Sequence, residues 1–339
     1  MSIAPRSLPA CLFAIVCALS GVVAAQQPAA AAPPAKPDTP EITAMIAQLR
    51  RSVGPRWESA VHFWCEAPRA NRPDDPPIPP TKILDDVYAI GNVGTTAYVI
   101  RTSAGLLMID ALGGGSADAT SAQLESQLLP GFRALGLEPA QVKIILVTHG
   151  HADHFGGASY FQDHFGTRVY VSAADWAAME NPARGRGGRG GTPSPIPKHD
   201  GDIADGAPIT LGDLTVTPVA IPGHTPGSMA FIFPVHDRGK THVAALFGGA
   251  SLTPQTLTDQ AFQTYLSSVL RFKQATKRAH VDVALQNHPL MIPIQERIDA
   301  LARRGPRDPN PFVVGAAEYQ KFVDVMVGCS RVQIARRKL

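Results

Sequence analysis

The chain has 339 residues, 45% hydrophobic and 17% charged, enough to bury one large core or two smaller ones. Its formal net charge is +3, and +2 (30 basic minus 28 acidic) once the first 25 residues, whose only charge is Arg6, are set aside. That near-neutral balance argues against a dedicated nucleic-acid binder or a protein held on anionic lipid by charge.

Residues 1–25 read as a signal peptide: Arg6 supplies the positive region, residues 12–23 are apolar and uncharged, and Val23-Ala24-Ala25 is a small-residue cleavage site. The apolar run is short for a membrane span, and an uncleaved anchor is the alternative. Cleavage predicts a periplasmic or secreted protein with no membrane span left, and it removes Cys11 and Cys17. In an oxidising compartment the remaining Cys65 and Cys329 suggest one disulfide between the N-terminal segment and the C-terminal helix; two free thiols are the other reading. Residues 26–80 form an N-terminal extension. It begins as an Ala/Pro-rich tether over 26–40, continues as a helix over 42–64 with apolar residues at Ile42, Met45, Ile46, Leu49, Val53, Trp57 and Val61, and ends in a proline-rich irregular stretch over 74–80.

The β signal starts at Thr81. Short apolar strands punctuated by glycine are predicted over 87–90, 97–101 and 106–109, the last running into Asp110 and the loop Gly113-Gly114-Gly115. A helix over 117–129 is stopped by Pro130-Gly131, and a buried strand over 142–147 follows. Further on come a helix over 157–164, a strand over 169–171 and a helix over 173–179. A second β block spans 209–221, 228–233 and 242–247, followed by an amphipathic helix over 261–280, a strand over 281–285 and helices over 294–303 and 316–337. This loose duplication of β block plus helix fits two packed sheets with helices outside, an α/β fold in four αββα layers. The arginine-glycine run over 184–191 reads as a mobile surface loop between the halves, placed to act as a flap; RNA binding is the alternative for such a run.

The strand over 142–147 feeds directly into Thr148-His149-Gly150-His151-Ala152-Asp153-His154. In extended chain, alternate residues face one way, so His149, His151 and Asp153 converge, and His154 follows as the chain turns into a helix. Imidazole and carboxylate are zinc's ligands where cysteine is absent, and four within six residues point to a metal. Two more histidines stand in turns after strands: His224 in Pro222-Gly223-His224-Thr225-Pro226-Gly227 and His288 in Asn287-His288-Pro289.

This His-x-His-x-Asp-His run is similar to the signature of the metallo-β-lactamase superfamily, and the two later turns look like its remaining metal motifs, in order, over roughly 81–289. The resemblance implies a metallo-β-lactamase-fold αββα catalytic domain over 81–290, with 291–339 a C-terminal helical segment packed on it. It implies two zinc ions per chain, the first held by His149, His151 and His224, the second by Asp153, His154 and His288, with Asp110 beside the site as a partner of the ligands. Relatives of the glyoxalase II type carry a bridging aspartate after the strand that here ends at Phe247, and two β-lactamase subclasses carry a cysteine; this chain reads Gly248-Gly249-Ala250-Ser251-Leu252-Thr253, with neither. That pattern resembles the third β-lactamase subclass, whose zincs use only His and Asp. There Ser251 and Thr253 would hold the substrate carboxylate, although the aspartate that precedes this segment in the subclass is missing. The implied activity is hydrolysis of a cyclic amide, best a β-lactam, by a metal-bound hydroxide, with Asp153 as the catalytic residue that orients the nucleophile. A dizinc hydrolase of a lactone, ester or other amide is the alternative, and an iron-dependent oxidoreductase of the same fold a remote one. The partner implied is a small-molecule substrate rather than nucleic acid, and no feature of the sequence specifies an oligomeric state.

Overall fold

The computed structural model describes Met1 and residues 37–68, 72, 75–113, 123–181, 194–251 and 257–338. The fold below is that of Asp38 onward. The expected signal peptide apart from Met1, nearly all of the expected tether, the arginine-glycine run and Thr253 lie outside the described residues.

The N-terminal helical pattern is interrupted. Helix α1 (Pro40–Val53) starts at Thr39, whose hydroxyl accepts from Ile42 N at 3.3 Å, and it ends at Gly54 in the left-handed region (φ 81°). Pro55 then opens a short 3-10 turn, α2 (Glu58–Val61) follows, and a π-type turn over His62–Glu66 carries Trp64 and Cys65 inward. The single helix expected over 42–64 is therefore a helix and a tight return. Apolar spacing continues across Gly54-Pro55, but the backbone does not: glycine takes the positive φ and proline cannot donate back.

Seven strands follow in spatial as well as chain order: β1 (Thr81–Lys82), β2 (Val87–Gly91), β3 (Thr96–Thr102), β4 (Gly105–Ile109), β5 (Val142–Leu146), β6 (Arg168–Val171) and β7 (Gly201–Asp202). The first four pair antiparallel and the rest parallel. The second sheet holds β8 (Ile209–Leu211), β9 (Leu214–Ala220), β10 (Met229–Asp237), β11 (Lys240–Phe247) and β12 (Val283–Leu285), in the order β12-β11-β10-β9-β8. The block expected over 209–221 splits into β8 and β9 at Gly212 (φ 58°), a hairpin turn that a run of β-formers concealed.

Side-chain alternation builds the layers. Tyr98 and Ile100 of β3 and Leu107 and Ile109 of β4 face Phe231, Phe233, Leu246 and Leu285 across the middle of the sandwich. The intervening Val99, Leu106 and Met108 meet an outer layer that includes Leu128, Phe132, Phe161 and Trp176. These come from a π-type turn over Leu124–Leu128 and the helices α3 (Leu129–Ala134), α4 (Ala152–Phe155), α5 (Ala158–Phe165) and α6 (Ala173–Glu180). Beyond the other sheet, Ala245 and Phe247 pack on Phe262 and Tyr265 of α7 (Asp259–Arg278) and on Phe322 and Val323 of α9 (Ala316–Arg336). A short α8 (Ile294–Ala302) links β12 to α9. The result is the αββα order. Pro130 does not stop its helix, as expected, but sits in the first turn of α3, where its missing N–H is not needed, and the chain stays helical to Ala134.

Cys65 and Cys329 are joined across 264 residues, both fully buried, so the N-terminal return is bonded to α9. Arg336 adds a two-pronged pair to Asp38 at 2.6 and 2.7 Å. No helix among the described residues is long and apolar enough to cross a membrane.

Candidate metal centre

The site residues all follow strand ends: Asp110 follows β4, His149 β5, His224 β9, Ser251 β11 and His288 β12. Because β4 runs parallel to β5 and β11 parallel to β12, these ends gather at one edge of the sandwich. His149, His154 and His288 are buried; His224 is half-buried and His151 exposed, so the cluster has a closed floor and an open rim.

Two triplets each bring their ligand atoms within 4.8 Å of one another: His149, His151 and His224, and His149, His154 and His288. Within them His151 Nδ1 lies 3.0 Å from His224 Nε2, and His154 Nε2 lies 3.1 Å from His288 Nε2. Asp153, its side chain 30% exposed, sets Oδ2 at 3.5 Å from His154 Nε2 and 4.0 Å from His288 Nε2. All six expected ligands thus stand at one place, but His149 belongs to both triplets, and Asp153, expected in the second, lies beside it at 3.5 Å from His154 and 4.0 Å from His288.

Outer partners fix which nitrogen each ring offers. His154 Nδ1 is 2.7 Å from Asp110 Oδ2, His224 Nδ1 2.7 Å from the Ser251 carbonyl, and His288 Nδ1 2.7 Å from the Gly94 carbonyl. A carboxylate or carbonyl oxygen only accepts, so each Nδ1 carries a proton and Nε2 is the nitrogen each ring directs inward. Asp110, buried at the end of β4 with φ 60°, is held by Thr148 N (2.8 Å), Thr148 Oγ1 (2.9 Å) and Asn287 Nδ2 (3.0 Å). It is the partner the sequence placed beside the site.

This donor set fits a metal. The Nε2 atoms of His154 and His288 face each other at 3.1 Å, an arrangement that repels unless a proton or a cation lies between the lone pairs. Buried His149 Nε2 has no hydrogen-bond partner among the described residues, a costly orphan unless a cation takes its lone pair. Burial and the neighbouring histidines push His149 and His224 well below the ordinary histidine value. His288 falls to about 4 through burial and the proximity of His154. Burial opposes the charge of His154, yet the carboxylates of Asp153 and Asp110 outweigh it and raise that ring to about 10. Burial likewise opposes ionisation of Asp153, but His154, His288 and His151 hold it well below the usual carboxylate range. Positive charge is thus favoured at one spot, beside rings whose lone pairs are free at neutral pH.

Sequence reasoning missed one residue that ties the motifs together. Asp175, fully buried on α6, accepts from Gly150 N (2.8 Å), Gly227 N (2.8 Å) and Thr225 Oγ1 (2.7 Å). Gly150 lies between His149 and His151, and Thr225 follows His224, so one carboxylate staples the two ligand loops. Gly227 is obligatory there: a Cβ would stand 2.0 Å from Ser172 Oγ. Nothing in an eight-residue helix marked Asp175; only the fold brings it to these loops. Ser251 is buried with its carbonyl on His224.

An αββα sandwich with a histidine-rich centre at the strand ends defines a class, and the comparisons show which proteins it resembles. The sequence model of the metallo-beta-lactamase superfamily matches residues 90–238, which include every expected ligand except His288. Over those residues the chain is similar to that superfamily. Among solved structures it resembles a subclass B3 metallo-beta-lactamase of Bradyrhizobium japonicum (25% identity, 76% of this chain and 92% of that one, TM-score 0.61). It also shares the fold of a mutant metallo-beta-lactamase from Legionella gormanii (19% identity, 79% and 99%, TM-score 0.66). Curated relatives include an uncharacterized protein of Mycobacterium tuberculosis (39% identity over 101 residues, 28% of this chain) and a hydroxyacylglutathione hydrolase of Fuscovulum blasticum (27% over 240 residues, 65% of this chain and 81% of that one). The match spans 44% of the length of the first of these two.

Proposed function

We propose that this chain is an exported, two-zinc hydrolase of a small-molecule carbonyl substrate, and that the substrate is a β-lactam. One observation carries the reading: a full His/Asp ligand set stands beside a β11 end with no carboxylate or thiol, where Gly248-Gly249-Ala250-Ser251 runs instead. The second metal is then left to Asp153, His154 and His288, the ligand pattern of the third β-lactamase subclass. The likeness to the Bradyrhizobium enzyme supports the same choice.

In this reading His149, His151 and His224 hold one zinc and Asp153, His154 and His288 the other. When bound, the pair supplies an acidified water and positive charge for the oxyanion. The chain does the rest. Asp110 keeps Nδ1 of His154 protonated and so aims its Nε2. Asp153 Oδ2, beside the open rim, takes the proton of the attacking water and returns it to the leaving nitrogen. Ser251, with Thr253 two residues on, grips the substrate carboxylate.

A second reading, a hydrolase of a thioester, lactone or other ester, is favoured by the alignment with the hydroxyacylglutathione hydrolase over 240 residues. Turnover of nitrocefin, a carbapenem, an aryl lactone and a thioester by the zinc-loaded protein, with and without chelator, tests both. Chelator-sensitive β-lactam turnover with kcat/KM above about 10⁴ M⁻¹s⁻¹ is expected. Hydrolysis confined to the lactone or thioester gives the second reading. Metal analysis finding iron in place of zinc overturns both. Amino-terminal sequencing of the protein recovered from the periplasm or medium tests export, with a start at Gln26 expected.

A further inference from the structure

A path of hydrogen bonds leads from the N-terminal extension into the metal centre. The indole Nε1 of Trp64 donates to the Ala250 carbonyl at 2.8 Å, with both residues fully buried. The Tyr265 hydroxyl donates to the same oxygen at 3.2 Å. One peptide unit on, the Ser251 carbonyl accepts from Nδ1 of His224 at 2.7 Å. That bond turns His224 Nε2 toward His151 Nδ1. Trp64 itself has little freedom. Its neighbour Cys65 is bonded to Cys329, its carbonyl accepts from Gln333 Nε2 at 2.9 Å, and its ring packs against Phe63 and Phe322 at 5.7 and 5.5 Å.

We infer that Trp64 is a positioning residue for the metal centre: its indole N–H fixes the Ala250–Ser251 peptide, which in turn holds His224 at the angle its ligand role requires. The inference rests on the reading of His149, His151 and His224 as a ligand set. The physical ground is that the segment after β11 begins with Gly248 and Gly249, the latter at φ 70°, and so has no stiffness of its own. Two buried donors on one carbonyl supply it. A tryptophan 160 residues from His224 in sequence, and outside the superfamily match, thereby becomes part of the ligand geometry.

The test is Trp64→Phe, which keeps a buried aromatic ring but removes the donor together with the volume of the second ring. Cobalt affinity of the metal-free protein, measured by chelator competition and by the ligand-field spectrum, is the readout. The variant should bind at least one cobalt per chain about tenfold more weakly, with a changed spectrum, as for loss of an outer partner of a ligand. Phe63→Leu, a buried change on the same turn that leaves the Ala250 bond intact, should lower the melting temperature without moving affinity or spectrum. If Trp64→Phe does not fold, Tyr265→Phe removes the other donor on the same oxygen, and weaker binding is again expected. A folded variant at either position with wild-type affinity and spectrum overturns the inference alone. A wild-type protein that takes up no cobalt overturns the metal reading and this inference with it.

Discussion

Asp175→Asn separates the staple from the ligands it serves. The asparagine has the volume of the aspartate but one acceptor oxygen in place of two. In the wild type, Asp175 Oδ1 receives Gly227 N and Oδ2 receives Gly150 N and Thr225 Oγ1. Whichever way the amide turns, its NH₂ group faces a backbone N–H that had an acceptor. Thr225 Oγ1 keeps its contact with Ser228 Oγ at 2.6 Å, so the loss falls mainly on one backbone donor and on the charge-assisted character of the bonds. A stranded buried donor costs about 1–3 kcal/mol, and with the weakened bonds the variant should lose about 2–4 kcal/mol. A domain stable by about 5–15 kcal/mol stays folded after that change. The metal-free variant should therefore show a lower urea midpoint at unchanged slope, and zinc affinity should fall about 10–100-fold because the His149–His151 loop and the His224 turn are no longer held together. Wild-type stability together with wild-type zinc affinity would refute the staple.

His288→Ala should bring bound zinc from about two per chain towards one, read by metal analysis after dialysis; an unchanged count removes His288 from the ligands. Asp153→Ala should cut turnover of any substrate by more than about 100-fold while circular dichroism stays that of the wild type, and retained activity would sink the proton-carrying role. Replacing Cys65 and Cys329 together by alanine frees a loop of 264 residues, for which chain entropy gives about 5.6 kcal/mol of lost stability, checked by urea unfolding of the oxidised protein against the variant. Asp237 is held below the usual carboxylate range by the paired bonds from Arg304 at 2.7 and 2.6 Å, aided by Asn310. A depressed pKa stabilises above the unfolded value and ceases to as pH falls through the folded one, so the wild-type advantage over Asp237→Asn, about 2 kcal/mol at pH 7, should shrink from about pH 5 downward.

Much of the candidate site was legible in the sequence because its first part is local. Four ligands sit within one strand-to-helix turn, and His224 and His288 stand at strand ends that periodicity could place. Asp110 was placed beside the site by the family resemblance, and the disulfide was suggested because only two cysteines follow the expected signal peptide. What could not be read depends on distance in the chain. Asp175 meets Gly150 and Gly227 only after two sheets have packed. Trp64 reads as one more apolar position on a helix until the break at Gly54 carries it beneath Ala250. Three boundaries were misjudged: Gly54-Pro55 breaks a pattern that apolar spacing continues, Gly212 turns the chain inside a run of β-formers, and Pro130 breaks nothing because it falls where a helix can take it.

The bond between Cys65 and Cys329 also sets a clock. At about 5–20 residues per second, the ribosome needs roughly 13–53 s after making Cys65 before it makes Cys329. For that interval Ile42, Ile46, Trp57 and Trp64 are present without α9, the helix that buries them. The first segment of the fold to be synthesised is thus among the last to be completed, and the His224 turn, which leans on that segment through Ala250, gains its support only at the end. On the proposed metal reading, uptake would then wait for α9: a shorter product can hold the His149–His154 motif, but without α9 it lacks the frame that aligns His224 with it.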